Sequence, residues 1–281
     1  MARYVRLDDR AVLSVSGSDA HGFLQGLITN DVDKLRDGAA IHAALLTPQG
    51  KYLFDFFVFR RGEAFCLDCE ADARPALAKR LAMYKLRADV AVDAAVADAV
   101  HAVFGDDARE AARRIEGADV FVDSRHPVLG MRVVGRCGDS ALQRAGIEAA
   151  ERADYEALRI AQGIPDGRRD LVPERSFLLE NGFDELNGVD FEKGCYVGQE
   201  VTARMKHRNL VRKRLVPVRI DGAAPEAGTP VFSGKSEVGE IRTSTGGLAL
   251  ALLRIEAIEG GETLRTETAA IHPEKPGWAD F

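Results

Sequence analysis

Between residues 20 and 28 the apolar positions Ala20, Phe23, Leu24, Leu27 and Ile28 recur at i, i+3, i+4, i+7 and i+8, which is one face of a helix. The alternating run 11–17 before it reads as a strand, and Ser18 between them is placed to cap the helix. A second pattern follows: residues 43–47, a Pro48-Gln49-Gly50 turn, and an apolar strand over 52–59. Arg61-Gly62 then turns the chain into a strand around Cys66, which predicts a hairpin. Helices are predicted over 74–86, with Leu77, Leu81 and Tyr84 on one face, over 107–115 and over 151–161. Short strands are predicted at 90–92, 100–104 and 130–134. Gly163-Ile164-Pro165 stops the last helix. From 166 to 192 periodicity is weak, and a long irregular stretch in a folded chain reads as a functional surface.

After Arg208 the character changes to short β-rich runs at 212–220, 229–232, 239–244, 248–255 and 263–266, separated by Gly, Pro and Asp. This is the pattern of a small antiparallel barrel. The expected organisation is an α+β domain over 1–208 and a barrel domain over 209–281. A chain of 281 residues is long enough for both.

A formal net charge of −6 argues against a bulk nucleic-acid binder, because phosphate neutralisation needs a positive face. No secretory run follows Met1, and no apolar stretch reaches the roughly 20 residues of a spanning helix. The expectation is therefore a cytoplasmic protein without a membrane partner. Cys66 and Cys69 form a C-x-x-C, but an offset of three on a strand puts the two side chains on opposite faces, and no second pair completes a tetrahedral metal site. The six histidines are scattered, and no zinc site, triad or P-loop is legible, so no metal is expected.

The segment 189–200, Val-Asp-Phe-Glu-Lys-Gly-Cys-Tyr-Val-Gly-Gln-Glu, carries the chemistry. Gly194 and Gly198 let the backbone turn sharply. A helix predicted over 198–208 would set Glu200 and Arg204 at i, i+4 and place Cys195 just before its N-terminus, beside Lys193. Helix dipole and ammonium would both favour a thiolate there. The plain alternative is a small buried cysteine in a Gly-rich turn. Asp55 is a carboxylate in an apolar strand and must either bind something or take a structural hydrogen bond. The basic run 204–214 has three readings: a solvated helix face and linker, a cradle for a polycarboxylate tail, or an RNA contact, the last disfavoured because no aromatic residues interleave the charges.

Lys193-Gly194-Cys195-Tyr196-Val197-Gly198-Gln199-Glu200 resembles the hallmark octapeptide of the YgfZ-type folate-binding family. Phe23-Leu24-Gln25-Gly26, Thr29-Asn30-Asp31-Val32, Leu46-Thr47-Pro48-Gln49-Gly50-Lys51, Val238-Gly239-Glu240-Ile241 and the run 248–254 are similar to further parts of the same family and of the related glycine-cleavage aminomethyltransferase (T-protein). The resemblance implies an aminomethyltransferase-like region of two interlocked α+β subdomains, followed by a β-barrel. It implies a role in assembling or maintaining iron–sulfur proteins, with tetrahydrofolate or a polyglutamylated derivative as ligand. The implied partners are iron–sulfur client or assembly proteins, not DNA. By the same carry-over Cys195 is the functional thiol, its chemistry left open. Lys193, Gly194, Tyr196, Gly198, Gln199, Glu200, Asp55, Gln162 and Arg204 form the candidate cleft.

Two positions depart from the aminomethyltransferase pattern. Its paired aspartates read Phe54-Asp55 here, and neighbouring strand residues face opposite sides, so Asp55 cannot replace the missing first carboxylate. The Glu that would accept hydrogen bonds from a pterin reads Ala161, a loss of about 1.5–3 kcal/mol, with Gln162 and Glu174 as stand-ins. A one-carbon transferase and an interaction module using 204–214 are the alternatives to an accessory factor.

Overall fold

The computed structural model describes all 281 residues. Its contacts divide the chain into two units that interleave in sequence: Met1–Leu46, Leu53–Arg152 and Asn187–Val197 make the first, and Thr47–Tyr52, Ala153–Leu186 and Gly198–Phe281 the second.

The strands of the first unit are β1 (Arg3–Arg6), β2 (Arg10–Ser16), β3 (Ala40–Leu46), β4 (Tyr52–Arg61), β5 (Ala64–Glu70), β6 (Ala91–Asp93), β7 (Ala99–Phe104), β8 (Asp119–Val122), β9 (Met131–Gly135) and β10 (Glu148–Ala149). They form two five-stranded sheets, in the orders β3-β4-β5-β2-β6 and β10-β1-β7-β9-β8. Helices α1 (Ala20–Gln25) and α2 (Arg74–Lys85) cover one sheet; α3 (Ala108–Ala112) and α4 (Asp139–Arg144) cover the other. The period-2 alternation explains this arrangement. Leu13, Val15, Phe56, Val58, Leu67 and Cys69 point to α1 and α2, whereas Arg10, Phe57, Phe59 and Asp68 occupy the opposite face.

On that opposite face Phe57 and Phe59 share the interior with a buried charged network. Arg10 Nε donates to Asp68 Oδ1 at 2.8 Å, and Arg132 of β9 donates to Asp68 Oδ2 and, at 3.2 Å, to Asp123 Oδ2. Arg125 Nη2 donates to Asp123 Oδ2 at 2.8 Å. All five side chains are buried. Burial by itself would raise the Asp123 carboxyl, but the Arg125 and Arg132 guanidiniums overcome it and hold the group well below the usual carboxylate range. The Arg132 guanidinium also lies 4.0 Å from the centre of the Phe57 ring.

Cys66 and Cys69 behave as the strand geometry predicts: Cys69 joins the helix-facing cluster, and Cys66 pairs across the ladder with Phe59 on the other face. Burial pushes the Cys69 thiol up to about 12, which works against the thiolate that disulfide exchange requires. Helix α1 is shorter than its apolar pattern and starts at Ala20 behind Asp19. Ser18 does not cap it, because its hydroxyl donates to Asp89 at 2.8 Å instead.

In the second unit, α5 (Arg152–Ala161) is followed by α6 (Gly167–Asp170), then α7 (Gln199–His207), and by a closed six-stranded barrel. The barrel strands are β11 (Lys213–Gly222), β12 (Pro230–Ser233), β13 (Ser236–Thr245), β14 (Leu248–Arg254), β15 (Leu264–Arg265) and β16 (Ala269–Pro273), with the short α8 (Ile255–Glu259) after β14. Closure comes from β16, which the sequence pattern did not reveal and which pairs antiparallel with β11, removing both open edges. Val216, Val218, Ile241, Ala251, Leu253 and Ile271 fill the interior. Leu215, Leu250 and Leu252 face outward onto Ile160 of α5. Buried Arg159 of α5 donates to Glu156 and Asp170 at 2.7 Å each, and Thr243 of β13 donates to Asp170 at 2.6 Å. The irregular stretch 166–186 thus contributes packing as well as surface, with Leu171, Leu178, Leu179, Phe183 and Leu186 buried.

Candidate functional site

Lys193 is the keystone of the cysteine loop. Its Nζ is buried and donates to the carbonyl oxygens of Gln25 (2.8 Å), Ile28 (2.6 Å) and Asn30 (2.9 Å). An ammonium has three donors, and all are used. Gln25 is the last residue of α1, so the cation also meets the end of a helix where carbonyls lack partners. This corrects the sequence expectation: Lys193 does not serve the neighbouring thiol, because its charge is spent on tying the loop to the chain after α1. Burial pushes its ammonium down to about 8. The Tyr196 ring, itself buried, lies 5.1 Å from Nζ.

The same two segments are bonded elsewhere. Thr29 Oγ1 donates to Gly188 O at 2.6 Å, and Asp190 N donates to Thr29 O at 2.9 Å. Asn30 Nδ2 donates to the carbonyls of His42 (2.7 Å) and Asn187 (2.8 Å). Asp190 organises the turn: its Oδ1 accepts from the backbone N–H of Glu192 (2.8 Å) and Lys193 (3.2 Å), while Oδ2 meets Lys34 at 2.5 Å. Thr29, Asn30 and Asp190 were not among the predicted site residues. The signal for them was the Thr29-Asn30-Asp31 motif, which resembled the family without suggesting a partner.

Held this way, Cys195 is exposed, with Gly194 exposed before it. The buried-cysteine alternative does not hold. Gly194 is not the sharp turn that was expected, since a Cβ there would meet nothing within 4 Å and its φ is unremarkable. Gly198 is the one that requires glycine, with φ of 85° at the N-cap of α7. Gln199 and Glu200 open that helix; Glu200 is exposed and only 3.9 Å from Arg204, a surface pair worth little. In the second unit Gly50, at φ of 71°, lies so close to α7 that an added Cβ would stand 2.8 Å from Val201 Cβ. Gly50→Ala should therefore cost about 1–3 kcal/mol through strain and crowding, read as a lower midpoint in urea unfolding.

Asp55 resolves toward the structural reading. It is buried with Oδ2 3.2 Å from His42 Nε2, and burial lowers the His42 pKa against the pull of Asp55. Phe54 faces the other way and packs on the helix-facing core. Gln162 is half-buried, and its backbone carbonyl accepts from Trp278 Nε1 at 2.7 Å. Ala161 is exposed. Glu174 sits in a left-handed conformation (φ 62°) with its N–H donating to Tyr52 O at 2.8 Å, and its side chain is exposed and makes no ion pair. Of the basic run, Arg214 is not a surface residue: it is buried and donates to Leu179 O at 2.8 Å and to Glu185. Arg208 and Arg212 are exposed, and Lys206 pairs with Asp184 at 2.6 Å. No group of three or more His, Cys, Asp or Glu is placed to hold a metal.

Residues 212–281 match a family model described as "CAF17, C-terminal beta-barrel domain". Over most of its length the chain is similar to curated proteins named "Iron-sulfur cluster assembly factor IBA57, mitochondrial". The Mus musculus protein is 34% identical over 97% of this chain and 84% of its own length, and the Homo sapiens protein 35% identical over 94% and 81%. Among solved structures, the glycine cleavage system aminomethyltransferase T from Bartonella henselae superposes with a TM-score of 0.82 over 99% of this chain and 86% of its own, at 15% identity, which establishes a shared fold. The mitochondrial names of these relatives overturn the cytoplasmic expectation. That expectation rested on the lack of an export run and of a spanning helix, and neither feature distinguishes the cytoplasm from the inside of an organelle.

Proposed function

The chain belongs to the family of the iron–sulfur cluster assembly factors named IBA57, relatives of the YgfZ-type proteins, and from that premise we propose that it supports iron–sulfur proteins through the exposed thiol of Cys195, with a reduced folate as ligand. In this reading residues 1–208 form the ligand-binding part and 209–281 the barrel. The observation that carries it is the construction of the cysteine loop. Three carbonyl bonds from Lys193 and the Asp190 turn fix the backbone just before a residue whose side chain is left open to a partner. Rigid support beneath one exposed nucleophilic side chain is the arrangement expected of a working site.

The strand that would bear an aminomethyltransferase's catalytic carboxylate offers none: Phe54 is spent on packing and Asp55 on His42. This supports an accessory factor over a transferase. For a folate, the exposed Glu174 carboxylate, which makes no ion pair, would take the pterin's paired donors. A reduced folate supplies one-carbon and reducing chemistry when bound; this chain's part is to hold and orient it. Glu174→Gln should weaken tetrahydrofolate binding about tenfold or more in an anaerobic calorimetric titration. Equal affinity would remove Glu174 from the pterin. The family role is tested by expressing the chain in human cells depleted of IBA57. Recovery of iron–sulfur enzyme activity is expected, and no recovery from a correctly targeted, folded chain would contradict it.

A further inference from the structure

A groove of about 450 Å³ lies wholly within the first unit, beside β8. Its apolar floor includes Phe59, Ile115, Phe121 and Met131. Around it stand Arg60, Arg109 and Arg113, all exposed. None of the three makes an ion pair: Arg60 only lies over the Phe65 ring, at 5.2 Å. The one carboxylate in the groove, Asp119, is already held by Arg61. In a chain with net charge −6, this is a local cationic rim with no internal anion left to satisfy it.

The wall of the groove is also a sheet edge. β8 is the last strand of its sheet and pairs only with β9, in the register Asp119↔Val134 to Val122↔Met131. The backbone groups of 119–122 on the other side have no hydrogen-bond partner. Val122 is exposed, and neither a lysine, a proline nor a bulge blunts the edge. Natural sheets protect such edges or use them. An edge kept open beside three unpaired arginines selects for what it pairs with.

We propose that β8 is a docking edge for an extended, acidic segment of a partner protein, which adds as a sixth strand and sets its carboxylates against Arg60, Arg109 and Arg113. Main-chain hydrogen bonds supply the attachment, and apolar side chains alternating with the acids fill the groove. The same charges would repel a basic segment and so give the surface its preference. The inference is independent of Cys195 and of any folate.

The probe is a fluorescein-labelled peptide of about eight residues alternating Glu and Val, titrated with the full chain and read by anisotropy. Saturable binding is expected, with amides 119–122 gaining protection from hydrogen exchange. Binding should fall about tenfold or more in the Arg60→Gln/Arg109→Gln/Arg113→Gln variant, whose substitutions are exposed and spare the core. It should fall as far when the peptide's own amides are N-methylated, which leaves the protein unaltered. Undiminished binding of the methylated peptide would mean that no strand is added. Equal binding of a Lys-Val peptide would remove the arginines from the recognition. Citrate alone binding as tightly as the peptide would make the groove a small-anion site and overturn the proposal.

Discussion

Asp68→Ala should lower the free energy of unfolding by about 3–5 kcal/mol. Asp68 is fully buried between Arg10 and Arg132, and both guanidiniums donate to its carboxylate. Its removal takes away one of the two carboxylates, Asp68 and Asp123, that face the guanidiniums of Arg10, Arg125 and Arg132 in this layer. Asp68→Asn keeps the shape and one acceptor, so it should lose less than Asp68→Ala but remain well below the parent. Converting the whole layer to apolar residues of similar volume should be far milder than either single change, because the penalty lies in the uncompensated charge and not in the missing pair. Urea unfolding of the variants decides the matter. A loss below about 1 kcal/mol for Asp68→Ala would show that the charged layer relaxes or admits solvent.

Lys193→Met should cost about 2–4 kcal/mol at neutral pH and loosen the cysteine loop. Methionine matches the length of the stem but leaves the carbonyls of Gln25, Ile28 and Asn30 without their donor. Hydrogen exchange should report faster exchange over 188–195, since only the Asp190 turn and the bonds from Thr29 and Asn30 then hold the loop. The pH dependence has a definite sign. The folded chain holds this proton only up to about pH 8, whereas the unfolded lysine holds it to 10.5. Between those values the unfolded state binds more protons, so the parent gains stability as pH rises, relative to Lys193→Met. Below pH 8 the difference between the two should be flat. A difference that shrinks between pH 8 and 10.5 would mean that the amine is not held as a desolvated group.

Much of this was legible in local pattern. The helix read over 198–208 forms as Gln199–His207, and strand alternation placed Cys66 and Cys69, and Phe54 and Asp55, on opposite faces. What escaped was whatever depends on a distant partner. β1, β8, β10 and β16 are short strands of two to five residues, and each is fixed by its neighbour, as when Arg3 pairs with Phe104. Asp68 and Arg132 look like solvent-facing positions of half-buried strands, and become interior only because a second sheet covers them. Lys193 was misread for a related reason. Proximity in sequence tied it to Cys195, but its ammonium reaches Gln25, 168 positions away.

The most direct measurement of the account is iron–sulfur enzyme activity in human cells depleted of IBA57 and supplied with the chain carrying Cys195→Ala, with abundance and melting temperature matched to the parent. Because the side chain is exposed and makes no bond that holds the loop, the fold should be unchanged while rescue is lost. Full rescue by Cys195→Ala would contradict the account, leaving the loop as a structural feature and moving the function to another surface.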